Sequence, residues 1–207
     1  MSSFSHIASF FNSISIDFPN PNFFLEQYST SLDILQNYYS FLPPVESSSI
    51  VDLGVGTGIL SFLAIKSGAR RVIGIDIDKQ VLQVANKNAQ IINIQNLNLI
   101  HSSVEFFNFK RFVQKVDGVI MNPPFGTKRK FLDFVFLKRA MQTNGWIISL
   151  HKSNLESDKM ISRLCSENKY VIQNKKKMNY NLPNTHTKHA LSSYPVEVSL
   201  YLLSPDV

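Results

Sequence analysis

Hydrophobic and polar positions follow two alternating patterns along most of this chain. Short apolar runs rich in β-branched residues, such as 49–55 and 71–76, have the composition of strands buried within a parallel sheet. The stretches between them, such as 79–91, carry apolar residues at helical spacing. Strand and helix taking turns in this way predicts right-handed βαβ units, with helices on both faces of one sheet.

The complete pattern predicts an α/β fold with a seven-stranded, mostly parallel sheet. The predicted helices cover residues 59–67, 79–91, 131–142 and 155–167. The predicted strands cover residues 49–55, 71–76, 97–101, 116–121, 146–150, 170–174 and 196–203. The last strand alternates apolar and polar residues, so we expect it to pair antiparallel.

A helical layer is predicted ahead of this sheet. Leu32 and Leu35 recur at helical spacing, Ser31 is the expected N-cap residue, and the prolines at 43–44 end the helix. No linker or internal repeat divides the chain. We therefore expect one domain of 207 residues whose N-terminal 45 residues form a helical extension.

Composition narrows the class of protein. Hydrophobic residues make up 44% and charged residues 17% of the chain, which is typical of a globular protein. No apolar run approaches the roughly 20 residues of a membrane span, and the N-terminus lacks the features of a signal peptide. The single cysteine, Cys165, excludes an internal disulfide and favours neither a metal site nor a nucleophile. The sequence thus predicts an intracellular protein without a membrane anchor.

Charge is distributed unevenly along the chain. Residues 1–107 hold 5 Lys/Arg against 8 Asp/Glu, whereas residues 108–207 hold 16 against 7. The two halves therefore carry net charges of −3 and +9. Such asymmetry favours a polyanionic partner, with nucleic acid first, although a basic surface can also serve solubility alone.

A glycine-rich turn follows the first predicted strand. Gly54, Gly56 and Gly58 let the backbone approach a ligand closely, and the following helix start offers free N–H groups. Asp76 ends the second strand, where a carboxylate can accept hydrogen bonds from both ribose hydroxyls. A glycine turn alone is weak evidence, but the turn and the acid together predict a nucleotide or nucleoside site.

The glycine spacing distinguishes between cofactors. A dinucleotide fingerprint is G-x-G-x-x-G, but here Ile59 stands where the third glycine would admit a pyrophosphate. S-adenosylmethionine carries no phosphate, and Asp52 could help to organise a site for its ammonium group. The turn therefore favours a methyltransferase.

The tetrapeptide N-P-P-F follows the fourth predicted strand, at the ligand-binding edge of the sheet. An amine conjugated to an aromatic ring is a poor nucleophile, because its lone pair is delocalised. The Asn122 side chain and the Pro123 carbonyl could each accept a hydrogen bond from such an amine, which would favour a more tetrahedral nitrogen. Phe125 could stack on the aromatic base that carries the amine. The alternative is a strand-terminating turn with Phe125 in the core. The glycine turn and Asp76 favour the catalytic interpretation.

These motifs together resemble class I S-adenosylmethionine-dependent methyltransferases with an N-P-P-[FY] motif. More narrowly, the chain resembles the eukaryotic methyltransferase-like five family, which forms N6-methyladenosine in small-subunit ribosomal RNA. The motifs that carry the resemblance are F-L-E-Q-Y-S-T, D-L-G-V-G-T-G, I-G-I-D-I-D, M-N-P-P-F-G-T-K, F-L-K-R-A, S-L-H-K-S and Y-N-L-P. The implied fold is Rossmann-like, and the implied cofactor is S-adenosylmethionine.

The resemblance also implies residue roles. The adenine site would be formed by Asn122, Pro123, Pro124 and Phe125. The cofactor would be held by Gln27, Thr30, Gly54, Thr57, Ile59, Asp76, Ser103 and Val104. The family works as a heterodimer with a zinc-binding activator protein of the Trm112 type, which covers apolar surface. This implies such a partner here, with any zinc in the partner, and a location in the nucleus, nucleolus and cytoplasm.

The chain departs from the family pattern at two residues and in one basic run. Ser103 replaces an acid beside the cofactor adenine and would accept a hydrogen bond more weakly. Thr57 replaces a cysteine, which should be tolerated. The basic run before the last strand is reduced to H-T-K-H-A-L-S-S at 186–193, so the lysine-rich runs 128–130 and 175–177 could contact phosphates instead, or merely be solvated. His151 is either a substrate-side or a structural residue.

Three functions remain open from the sequence. The first is an RNA adenine-N6 methyltransferase. The second is a methyltransferase for a protein glutamine amide, since N-P-P-[FY] serves that nitrogen too, although those enzymes usually carry a larger N-terminal domain. The third is a non-catalytic RNA-binding or scaffold member of the fold, which loss of Asn122 or of the glycines would have favoured.

Overall fold

The computed structural model describes residues 4–18, 20–109, 115–183 and 193–206. Six α-helices lie within these ranges: α1 (Phe4–Phe11), α2 (Leu32–Phe41), α3 (Ile59–Lys66), α4 (Lys79–Ile91), α5 (Leu132–Met141) and α6 (Leu155–Asn168). A short 3-10 turn spans Phe23–Leu25. The run 186–192, singled out as a reduced basic segment, lies outside the described residues.

The described strands form one seven-stranded sheet in the order β3-β2-β1-β4-β5-β7-β6. Their bounds are β1 (Ser49–Leu53), β2 (Arg71–Asp76), β3 (Leu97–His101), β4 (Gly118–Met121), β5 (Trp146–Lys152), β6 (Tyr170–Pro183) and β7 (Ser193–Pro205). The pairs from β3 to β5 are parallel, and β7 runs antiparallel to both β5 and β6. The predicted mostly parallel sheet with an antiparallel last strand is confirmed.

The two faces of the sheet are covered by different helices. Neighbouring β1 residues alternate between them: Ile50 joins a cluster with side chains of α1, α2 and α3, whereas Val51 joins a cluster with α5 and α6. Every residue of β1 is buried, as is typical of a central parallel strand. The prediction of helices on both faces is therefore confirmed.

Side-chain N-caps mark three of the six described helix starts. The Ser31 side chain accepts a hydrogen bond from Ile34 N at the start of α2, as predicted. The Asp78 side chain does the same for Gln80 N at the start of α4. Buried Ile34 and Leu35 then attach α2 to the core, which places the chain that precedes α2 next to the glycine turn.

Two elements differ from the prediction. Helix α1 was not predicted; it attaches to the core through Ile7 and Phe11, which are both buried. Strand β6 continues from the predicted 170–174 to Pro183, because thirteen of its residues pair with β7. The run 175–177 therefore lies on a strand, and its polarity reflects a strand at the end of the sheet with an exposed face.

Candidate active site

A cleft lies at the carboxyl ends of β1, β2 and β4, beneath the chain that precedes α2. Every residue predicted at the cofactor lines it: Gln27, Thr30, Gly54, Thr57, Ile59, Asp76, Ser103 and Val104. Asn122 and Pro124 line it as well, whereas Pro123 and Phe125 are buried next to them. The fold thus brings the predicted cofactor residues, Asn122 and Pro124 to one cavity, with Pro123 and Phe125 buried beside it.

The glycine turn supports the floor of this cleft. Gly56 has a φ of +54°, and a Cβ atom built on it would lie 3.1 Å from Cζ of Phe18. The turn therefore requires a residue that tolerates the left-handed region and the close approach of the Phe18 ring. Phe18 lies in the N-terminal segment, lines the cleft and was not predicted at the site.

Asp76 is held in one orientation at the end of β2. One carboxylate oxygen accepts from Gly56 N at 2.9 Å and the other accepts from Asp78 N at 2.9 Å. Burial raises the pKa of Asp76 above its usual value, and the backbone donors oppose that shift. Each oxygen retains a further lone pair, so the carboxylate can accept two hydroxyl donors from the cleft.

Asp52 lies behind the glycine turn and does not line the cleft. Its side chain is 1% exposed, and one oxygen accepts from Ser61 Oγ at 2.6 Å. The other oxygen is buried and has no hydrogen-bond partner among the described residues. Burial raises the pKa of Asp52 to about 7, with the negative charge of Asp76 adding to the shift. The expected role beside a cofactor ammonium group is therefore not supported, because the carboxyl does not reach the cavity.

Two hydrogen bonds fix the N-P-P-F segment. The Tyr38 hydroxyl donates to Met121 O at 2.7 Å, which anchors the end of β4 to α2. Asn122 Nδ2 donates to Thr30 Oγ1 at 3.1 Å. That bond turns the Asn122 carbonyl oxygen away from Thr30, towards Tyr28.

The Tyr28 hydroxyl marks the point on which two acceptors converge. It lies 3.0 Å from Pro123 O and 3.4 Å from Asn122 Oδ1. The Tyr28 ring stacks on Phe125, with centroids 5.1 Å apart and an interplanar angle of 29°. Two carbonyl-type oxygens therefore converge on the Tyr28 hydroxyl, and the Phe125 ring stacks on the Tyr28 ring.

Three hydrogen bonds hold the segment around Tyr28 in place. Glu26 Oε1 accepts from Lys128 N at 2.8 Å, and Gln27 Nε2 donates to Asp78 Oδ2 at 2.8 Å. On the other side, the Tyr180 hydroxyl donates to Ser29 O at 2.5 Å. These bonds tie the N-terminal segment to the sheet edge and close one wall of the cleft.

An ion pair crosses the opposite wall. The Arg129 guanidinium donates two hydrogen bonds of 2.6 Å to the carboxylate of Glu105. Arg129 follows N-P-P-F, and Glu105 follows Ser103 and Val104, so the pair joins the two predicted binding segments. This bidentate contact keeps the pKa of Glu105 below its usual value.

His151 is a structural residue. Its ring is 0% exposed, and its nitrogens lie 2.7 Å from Ser149 Oγ and 3.0 Å from Asp133 Oδ2. The ring also stacks on Phe134 with an interplanar angle of 5°. A substrate-side role is therefore excluded for this histidine.

The described part of the chain contains neither a candidate metal site nor a candidate membrane span. Within the described residues, no group of three or more His, Cys, Asp or Glu side chains could hold a metal ion. In the same part of the chain, no helix has the length and apolar character needed to cross a membrane.

Comparison with known proteins gives one family match. A family model described as "Ribosomal protein L11 methyltransferase (PrmA)" matches residues 29–180, which is more than two thirds of the chain. The matched range begins just before Thr30 and includes the glycine turn, Asp76 and the N-P-P-F segment.

Individual proteins are similar over nearly the whole chain. The rRNA N(6)-adenosine-methyltransferase METTL5 of Danio rerio is 29% identical over 194 residues, covering 91% of this chain and 92% of its own. The crystal structure of PH1948 from Pyrococcus horikoshii is 29% identical, with a TM-score of 0.85 and full coverage of both chains. Magnesium protoporphyrin IX methyltransferase from Synechocystis, solved with bound S-adenosylmethionine, shares the fold at 14% identity, with a TM-score of 0.59 and coverage of 82% and 78%.

Proposed function

The chain belongs to the PrmA family of methyltransferases, and we propose that it methylates the N6 amine of adenosine in ribosomal RNA. The observation that carries the proposal is the convergence of Asn122 Oδ1 and Pro123 O on one point beside the Phe125 ring. The similarity to the Danio rerio protein, whose name states rRNA adenosine N6 as its target, supports the same substrate class. We further propose that the RNA is that of the small subunit.

The geometry suits an amine attached to a flat ring. An exocyclic amino group has two N–H bonds, and a nitrogen at the position of the Tyr28 hydroxyl oxygen would have one acceptor for each. Both bonds oppose delocalisation of the lone pair into the ring, which makes the nitrogen a better nucleophile. The Phe125 ring would fix the plane of the base and thereby the direction of attack.

The residues of the cleft fit S-adenosylmethionine, which supplies an electrophilic methyl group on its sulfonium when it is bound. Asp76 offers carboxylate oxygens to the ribose hydroxyls, and Ile59 and Val104 provide apolar walls. Ser103 lines the cleft where an adenine amine would lie, and a hydroxyl can accept from it. Since Asn122 lines the same cavity, the amine and the cofactor would share one cleft.

We propose that RNA phosphates contact the run 128–130 before the run 175–177. Arg129 lines the cleft, and Lys130 is exposed next to it. On β6, Lys175 and Lys177 already face carboxylates, of Asp158 at 2.8 Å and Glu197 at 2.9 Å. Those carboxylates partly neutralise the second run, and Glu105 neutralises Arg129 in the same way. Among the described residues, however, no ion pair involves Lys128 or Lys130, so the first run keeps two unpaired lysines and the second keeps only Lys176. The first run is therefore the stronger attractor for a polyanion.

We also propose a Trm112-type partner on the β3 end of the sheet. β3 is the first strand in the sheet order, and its residues are only partly buried. Apolar side chains are exposed on either side of β3 in the sequence: Ile91 is 50% exposed and Phe106 is 84% exposed. A strand at the end of a sheet, flanked by exposed apolar residues, is a suitable surface for a partner that adds a strand.

A co-purification experiment tests this partner. The chain is co-expressed with a Trm112-type protein as the wild type, as Phe106→Asp and as Leu155→Asp. Leu155 is also exposed, at 69%, but it lies on α6, away from β3. We expect Phe106→Asp alone to lose the partner; retention by Phe106→Asp, or equal loss by both variants, would contradict the proposed surface.

The substrate class is tested by offering two acceptors to the same enzyme. The purified complex is incubated with S-adenosylmethionine labelled in its methyl group and with either ribosomal RNA or a translation release factor. We expect label in the RNA only. Label on a protein glutamine would identify the other nitrogen chemistry that N-P-P-F can serve, and the absence of label from both would refute the proposal.

A further inference from the structure

The side chain of Tyr28 fills the place that the proposed function assigns to the target base. Its ring stacks on Phe125, and its hydroxyl lies within hydrogen-bond distance of both Asn122 Oδ1 and Pro123 O. An adenine that used the same ring and the same two oxygens would overlap this side chain. The Tyr28 side chain and the base therefore cannot occupy the site together.

The Tyr28 hydroxyl supplies a hydrogen bond to oxygen atoms whose burial without a donor would destabilise the protein. Pro123 is buried, and the half-buried Asn122 side chain lies between the hydroxyls of Thr30 and Tyr28. A buried carbonyl oxygen without a donor destabilises the free protein. Burial raises the pKa of Tyr28 well above 10, so its hydroxyl remains a donor at neutral pH.

A hydroxyl is nevertheless an inferior ligand for this pair of oxygens. It has one hydrogen to share between two acceptors, and the distances are unequal, 3.0 Å to Pro123 O and 3.4 Å to Asn122 Oδ1. An amino group supplies two hydrogens, one for each oxygen. An arriving amine on a flat ring can therefore replace the tyrosine, whereas a donor with a single hydrogen gains nothing over it.

The backbone around Tyr28 is held on both sides. Gln27 is bonded to Asp78, the Ser29 carbonyl to the Tyr180 hydroxyl, and Thr30 to Asn122. The two rings of Tyr28 and Tyr180 also meet edge to face, with centroids 5.7 Å apart. Exchange with a base consequently requires the Tyr28 side chain to rotate, while the segment that covers the cofactor cleft stays in place.

We propose that Tyr28 is a placeholder for the target base, which sets the affinity and selectivity of base entry. The proposal rests on the base site of the proposed function. In the free enzyme the tyrosine caps both acceptor oxygens, and only a planar group with an amine displaces it. A base must therefore displace the Tyr28 side chain before it can bind. Groups that donate a single hydrogen do not displace it and do not reach the oxygens of Asn122 and Pro123.

The test is binding to the full chain with its partner, measured by calorimetry with adenosine 5′-monophosphate and with a glutamine-containing peptide. Tyr28→Phe keeps the stacking ring and removes the competing hydroxyl, so we expect the nucleotide to bind about fivefold more tightly. Tyr170→Phe is the matched control. The Tyr170 hydroxyl also donates to two carbonyl oxygens, of Met141 and Gly145, but lies outside the cleft.

The outcomes separate this proposal from the proposed function. Tighter nucleotide binding by Tyr28→Phe alone supports the placeholder. Tighter binding of the peptide alone would show that Tyr28 holds the place of an amide and not of a base, which overturns both this proposal and adenine as the target. Unchanged, weaker or undetectable binding of both probes overturns the placeholder. A lower kcat on RNA without tighter binding also overturns it, because Tyr28 would then act in the complex rather than in the free enzyme. Melting temperatures confirm that each variant is folded.

Discussion

Replacing Asp52 by asparagine is expected to remove a pH-dependent loss of stability. The carboxyl is buried in β1, and one of its oxygens has no partner among the described residues. Its pKa rises from 3.8 to about 7 in the folded protein. The unfolded chain therefore releases this proton near pH 4, while the folded protein keeps it up to about pH 7.

The sign and size of the effect follow from this difference. Between these pH values the folded state binds more protons than the unfolded state, so the free energy of unfolding falls as the pH rises. Each pH unit corresponds to about 1.4 kcal/mol, which gives about 4 kcal/mol for Asp52 over the whole range. About 3 kcal/mol of this is lost between pH 5 and pH 8, and the loss ends above the folded-state pKa.

Thermal unfolding at pH 5 and pH 8 measures this contribution. The amide introduced by Asp52→Asn cannot titrate, but its oxygen can still accept from the Ser61 hydroxyl. For a chain of this length, we expect the melting temperature of the variant to rise relative to wild type by roughly 6–12 °C between the two pH values. The exposed Asp33, replaced by asparagine, is the control. A difference from wild type that is equal at both pH values would refute the assignment of the shifted titration to Asp52.

Three further predictions concern the cleft and its surroundings. Asp76→Ala should weaken S-adenosylmethionine binding by roughly tenfold to a hundredfold in calorimetry, because charge-assisted bonds to the ribose are lost; unchanged affinity would contradict the role of Asp76. In urea unfolding, Gly58→Ala should destabilise the protein more than Gly68→Ala, since both have positive φ but only the first places a Cβ 2.5 Å from Phe62 Cζ. Lys130→Glu should weaken RNA binding and reduce its salt dependence more than Lys175→Glu; equal effects would contradict the assigned order of the two runs.

The sequence predicted the parts of the fold that local signals determine. Helix α4 lies at the predicted residues because its apolar spacing follows the Asp78 N-cap. The buried strands β1 and β2 were recognisable from their β-branched runs. In each case the information lies within a few neighbouring residues.

Elements that depend on distant partners were not predicted in full. The lysine-rich part of β6 lacks the composition of a strand, and its conformation comes from pairing with β7. Helix α1 is short, and burial of Ile7 and Phe11 against the core defines it. No local pattern encodes the pairing of β6 with β7. The apolar residues of α1 at positions 4, 7 and 11 do follow helical spacing, but over only eight residues.

The candidate site likewise combines residues that local patterns predict with one residue whose place depends on distant contacts. The glycine turn, Asp76 and N-P-P-F could be predicted to share the carboxyl edge of the sheet, because consecutive parallel strands end there. The position of Tyr28 could not, since its contacts with Asn122 and Pro123 join residues more than ninety positions apart. Its place within L-E-Q-Y-S-T was the only signal in the sequence, and it indicated no role for the ring.

Nucleoside analysis of ribosomal RNA, after reaction with methyl-labelled S-adenosylmethionine, tests whether the site formed by Asn122 and Pro123 methylates adenosine N6. The RNA is digested completely, and labelled nucleosides are identified by mass spectrometry for wild type and for Asn122→Ala. We predict label in N6-methyladenosine, reduced roughly a hundredfold or more in the variant because one of two acceptors on the amine is lost. Label in another nucleoside, or N6-methyladenosine formed equally by a folded Asn122→Ala protein, would contradict the account.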